Sequence, residues 1–142
     1  MLIEIYDQPF EPYQRLQQYQ SEANFAGKYG ATAVFVGTMR EFNQGDDVEA
    51  MLLEHYPGMT EKYLNKISEE AAQKWDILDS LIVHRIGEMR PNDPIVLVAV
   101  WSAHRAAAFD ASRYLMEELK SRAPFWKKET LPENDRWVEK NT

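Results

Sequence analysis

The 142-residue chain contains no cysteine. That absence excludes a disulfide framework, a zinc ribbon and an iron–sulfur site. It also excludes a thiolate nucleophile or a persulfide, so any sulfur chemistry must use sulfur brought by another molecule. Long apolar runs are missing too. The most apolar stretch, Pro94 to Ala103, spans ten residues, about half of a membrane helix. The first ten residues, MLIEIYDQPF, hold two acids and no base, the wrong sign for a signal or transit peptide. The expected location is therefore the cytoplasm, with no membrane partner. Glycine is scarce, with six residues. A phosphate-binding P-loop, a dinucleotide fingerprint and a Gly-x-Ser-x-Gly elbow are all absent. No His-x-x-x-His pair or carboxylate-rich helix supports a metal site, and none is expected.

What is present describes a globular protein. Hydrophobic residues make up 44% of the chain, and four Trp, seven Tyr and six Phe argue against disorder. The length suits one domain over residues 1–142, large enough to hold its core without a covalent staple. Sixteen basic and 23 acidic residues leave a net charge of −7, which disfavours a nucleic-acid partner. The charge is uneven: residues 1–83 carry −8 and residues 84–142 carry +1. Between 120 and 128 stand Lys120, Arg122, Lys127 and Lys128 with no acid. A compact basic cluster on an acidic protein suits a small anion.

Periodicity places the elements. Leu2–Tyr6 alternates as a strand, and Pro12 opens a helix to about Ala23. Ala31–Arg40 reads as a central strand with Gly37 as a bulge or point of close approach. Glu41–Asp47 reads as a polar loop, and Val48–Tyr56 as a strand paired with the one before it. Met59, Tyr63, Leu64, Ile67 and Ala71 mark an amphipathic helix over 59–75. Ile77–Ile86 is a strand that Gly87 ends, and Ile95–Trp101 is a buried central strand. Arg105–Ser121 is a third helix, with Phe109, Ser112, Leu115, Met116 and Leu119 inward. Phe125–Leu131 and Trp137–Val138 form a closing hairpin. The expectation is a single α+β domain with three helices and a mostly antiparallel sheet.

Three places could carry chemistry. At Trp101–Arg105 a buried strand meets a helix, with Ser102 or Ala103 near the cap. His104 and Arg105 then stand where free helix N–H groups favour an anion. Arg105 opposes the helix dipole, so it either meets an anion or makes a surface ion pair. Lys120 to Glu129 holds lysines on both sides of Pro124. Two lysines converging in one pocket would depress each other's pKa, as general acid–base work requires; the alternative is a helix-end cation followed by a basic exposed strand. Gly37-Thr38-Met39-Arg40 ends a buried strand, where Arg40 binds an anion or pairs with a nearby acid. His55 and His84 read as sheet histidines satisfied by their neighbours.

Taken together, these segments resemble the large, catalytic subunit of molybdopterin synthase. The matching blocks are Ala33–Arg40, Leu53–Met59, Val83–Gly87, Ser102–Arg105 with Phe109, Lys120 with Pro124–Glu129, and Trp137–Val138. The resemblance implies an α/β hammerhead-type fold. It also implies an enzyme that converts a cyclic pyranopterin monophosphate to the molybdopterin dithiolene. Sulfur would come from the C-terminal thiocarboxylate of a small ubiquitin-like subunit ending in Gly-Gly. Two large subunits would form a dimer at the centre of a heterotetramer. Carried over, Lys120 and Lys127 would be catalytic. Arg40, His104 and Arg105 would bind the anionic substrate, and Thr38, Met39, Lys128 and Glu129 would line the pocket. Met39 replaces the valine usual in that pattern, and Lys140 is the only late base. The rival readings are a non-catalytic module that holds a partner's C-terminal tail and another small-phosphate (pterin or nucleotide) transferase.

Overall fold

The computed structural model describes residues 1–138; Lys140 lies outside them. Its centre is a nine-residue strand, Pro94–Ser102, buried from Val96 onward. Both faces of this strand are covered, which is why it reads as an unbroken apolar run. In chain order it is β8. It pairs antiparallel with β2 (Ala31–Thr38) on one side and β6 (Asp79–Arg85) on the other. β1 (Leu2–Tyr6) adds to β6 in parallel, giving the order β1-β6-β8-β2.

Alternation divides this sheet's side chains between two cores. Ile82, Val96, Val98 and Val100 face α2 (Met59–Lys74) and α3 (Arg105–Arg122), packing on Leu64, Ile67, Ala71, Ala111, Leu115 and Leu119. Leu81, Val83, Leu97, Ala99 and Trp101 face the other way, toward Phe10, Phe25 and the Leu16 and Tyr19 side chains of α1 (Pro12–Glu22). Strand residues two apart share a face, so His84 points to the same side as Ile82, toward the end of α3.

A second sheet is antiparallel throughout, in the order β10-β9-β5-β7: Asp135–Val138, Phe125–Thr130, Ala50–His55 and Gly87–Met89. Met39, Val48, Met51, Leu53 and Met89 form its small core. Gly87 is the pivot between the sheets. Its φ of +93° turns the chain from β6 in the first sheet to β7 in the second, a conformation that glycine adopts without penalty.

The architecture is α+β, as the periodicity implied, but the pairing differs. Residues 31–40 and 48–56 do not form a hairpin, because β2 pairs with β8 whereas β5 pairs with β9 and β7. The expected polar loop 41–47 contains a small hairpin, β3 (Phe42–Asn43) with β4 (Asp46–Asp47). Gln44 and Gly45, both at positive φ, close it with the backbone geometry that two-residue hairpin turns require. Gly87 ends one strand, as expected, and also begins another. Phe109, expected inward, is 66% exposed. Gly37 does mark an irregularity, since the β2–β8 register shifts between Gly37 and Thr38. Among the described residues no helix is long and apolar enough to cross a membrane.

Candidate active site

Where the two sheets meet the C-terminal end of α3, they enclose a cavity with about 90 Å³ of room. Lys120 comes from the last turn of α3, and Phe125, Lys127 and Glu129 project from one face of β9. Thr38, Met39 and Arg40 reach it from the end of β2, Phe42 and Asn43 from the β3–β4 hairpin, and His84 from β6. The turn at Pro124 is fixed by Thr60 of α2, whose buried hydroxyl donates to the Pro124 carbonyl at 3.0 Å. That anchor sets where β9 begins, and so where Lys127 emerges opposite Lys120.

The electrostatics are those of an anion site. Burial pushes the Lys127 amine down to about 8 from its ordinary 10.5, helped by Lys120 and Arg40 and opposed by Glu129. Burial, then Arg40, also lowers Lys120. Glu129 supplies the opposite sign but is already committed. It is buried, accepting from Arg136 Nε at 2.9 Å and from Asn43 Nδ2 at 3.1 Å. Arg136 in turn holds Asp46 at 2.7 Å and donates to the Asn43 carbonyl at 2.8 Å. Glu129 and Arg136 therefore latch the β3–β4 hairpin beside the cavity.

His84 is 4% exposed and lies flat against Phe125, with ring centroids 4.0 Å apart and planes 15° from parallel. Its Nδ1 sits 2.8 Å from the Arg85 carbonyl oxygen. Burial first, then the charges of Lys127, Lys120 and His55, push its pKa down to about 3. The imidazole is thus neutral at physiological pH.

The fold brings together six of the residues singled out in the sequence: Thr38, Met39, Arg40, Lys120, Lys127 and Glu129. Three lie elsewhere. Lys128 points to the opposite face of β9 from Lys127, as strand alternation requires, near Asp135 (3.6 Å) and the Trp137 ring. His104 and Arg105 are exposed at the N-terminus of α3. Arg105 and Lys120 are fifteen positions apart along the helix, a distance of about 22 Å.

Similarity to known proteins bears on the architecture that surrounds this cavity. The family model described as MoaE protein matches residues 5–122. The chain belongs to the MoaE family. It is 51% identical over 139 residues to the molybdopterin synthase catalytic subunit of Pseudomonas aeruginosa, covering 98% of this chain and 91% of that one. Among solved structures, the molybdopterin biosynthesis MoaE protein of Burkholderia ambifaria matches with TM-score 0.80 at 45% identity, over 99% of this chain and 90% of that one. The molybdopterin synthase of Staphylococcus aureus matches with TM-score 0.84 at 36% identity, over 95% of each chain.

Four residues at this cavity were given no site role from the sequence: His84, which read as a satisfied sheet histidine, Phe125, Asn43 and Arg136. His84 and Phe125 are 41 positions apart, and no local pattern pairs them. The Gln44-Gly45 step was the one available sign of the hairpin that carries Asn43.

Proposed function

We propose that the chain is the catalytic subunit of a molybdopterin synthase and acts in the cytoplasm as one catalytic domain. It transfers sulfur from the C-terminal thiocarboxylate of a small ubiquitin-like subunit to a cyclic pyranopterin monophosphate, forming the dithiolene. The observation that carries this reading is the pair of half-buried lysines, Lys120 and Lys127, facing one cavity beside Arg40. Such a cluster neutralises an anionic tail and a phosphate together, and a lysine near pKa 8 can give or take a proton near neutral pH. The chain has no cysteine of its own, so the donor must carry the sulfur in. A narrow cavity admits an extended tail most easily when the tail has minimal side chains, which glycine provides.

About 90 Å³ receives part of the substrate, a ring edge or its phosphate, or the end of a tail. It falls short of the roughly 300 Å³ at which small-molecule sites begin. A second copy of the chain completes the site. His104 and Arg105, too far from their own cavity, then serve their partner's. In that dimer they bind the anionic substrate, while Thr38, Met39 and Glu129 wall the cavity and Lys128 lies at its outer margin.

The test is product analysis. Purified chain, precursor and thiocarboxylated small subunit should yield dithiolene. Lys120→Ala and Lys127→Ala should each lower turnover by about a hundredfold or more, the scale of a lost general acid–base group. Tail binding without product, or turnover of a phosphate substrate without sulfur transfer, would replace this function with one of the two rival classes.

A further inference from the structure

The cavity's cations account for the anionic parts of the reaction, but they leave one buried polar group unused. His84 reaches the cavity from the first sheet, sandwiched against Phe125. Its Nδ1 faces a carbonyl oxygen, that of Arg85 at 2.8 Å. A carbonyl only accepts, so Nδ1 must carry the ring's proton. In a neutral imidazole Nε2 is then a bare lone pair, and among the described residues no donor engages it. The groups that face the ring electrostatically, Lys127, Lys120 and His55, all act against a second proton.

The rest of the cavity is rich in donors. Lys120, Lys127 and Arg40 present N–H groups, and the Glu129 carboxylate is already taken by Arg136 and Asn43. A substrate with both an anionic end and donor N–H or O–H groups needs an acceptor that does not add negative charge beside its phosphate. A carboxylate would repel that phosphate, whereas a neutral imidazole does not. We propose that His84 is a substrate-positioning residue whose Nε2 accepts a hydrogen bond from a donor N–H or O–H of the pyranopterin. It thereby orients the ring system while the lysines and Arg40 hold the anionic groups. The proposal rests on the molybdopterin synthase function above and deepens it by assigning a specificity-determining contact. The flat stack on Phe125 and the Arg85 carbonyl fix the ring in place, so the acceptor is preorganised.

Three substitutions separate this role from a structural one. His84→Gln places a side-chain amide near Nε2 and can keep an acceptor there. His84→Asn reaches only the Nδ1 position, keeping the bond to the Arg85 carbonyl but losing the acceptor. His84→Phe keeps the stack alone. Precursor affinity is read by titration, KM and kcat by turnover, and small-subunit affinity by a separate titration. The expected result is a precursor Kd and KM raised about tenfold in Asn and Phe, the scale of one lost hydrogen bond. Gln should stay within about threefold, and small-subunit affinity should be unchanged in all three. Wild-type precursor affinity in the Asn variant, or a loss in Gln equal to that in Asn, overturns the proposal. Should the Phe variant fail to fold, the Gln–Asn contrast decides alone. Wild-type chain in the same assay tests the underlying function independently, because absence of dithiolene there counts against the enzyme assignment and leaves the binding contrast to be read by titration.

Discussion

Lys127 should cost the folded protein stability at neutral pH, and the cost can be measured. Its amine titrates at about 8 in the fold against an ordinary 10.5. At 1.36 kcal/mol per pH unit the difference corresponds to about 3 kcal/mol, an upper figure, since partial solvent access relieves part of it. The sign follows from linkage. Between pH 8 and 10.5 the unfolded chain binds the proton that the folded chain has lost, so stability rises with pH across that window. Below pH 8 both states are protonated and the full penalty stands. Above 10.5 both are neutral and it vanishes. Lys127→Met keeps the length of the side chain and removes the charge. It should stabilise the protein by about 2–3 kcal/mol at pH 7, raising the thermal midpoint by roughly 6–10 °C, while abolishing turnover. The assay is urea unfolding of wild type and variant at pH 7, 9 and 10.5. The gain should shrink stepwise with pH, leaving only the small apolar contribution of the methionine. An equal gain at all three values, or none at pH 7, would refute the buried-charge account of the cavity.

Three further perturbations probe other parts. Arg136→Ala should unlatch the β3–β4 hairpin, seen as faster proteolytic nicking near Gln44–Gly45 and a raised precursor KM with little change in kcat. Gly87→Ala forces a side chain into φ +93° and should cost about 1–2 kcal/mol, read as a lower urea midpoint at unchanged slope. Arg105→Ala should weaken precursor binding more than small-subunit binding; the reverse order by titration would move Arg105 to the protein interface.

The sequence alone determined the elements and much of the site's composition. Helical spacing located α2 and α3, and unbroken hydrophobicity marked β8 as buried on both faces. The zero cysteine count made sulfur delivery a partner's task. Lys120 and Lys127 stood out as cations on either side of the Pro124 turn, and Arg40 as a cation closing a buried strand. Alternation already implies that Lys127 and Lys128 point apart, because it is a local property of one strand. What the tertiary structure decided is which elements meet. Strand pairing is a long-range choice: the β-rich segment 48–56 could pair with its neighbour in sequence, yet it joins β9 and β7. That choice places Phe125 over His84 and turns a residue that reads as sheet filler into a wall of the cavity. The same choice brings Glu129 and Arg136 onto the 41–47 hairpin and separates the two ends of α3 by its own rigid length. Side-chain periodicity records which face a residue occupies; the partner of that face depends on contacts between segments tens of residues apart, which no local pattern encodes.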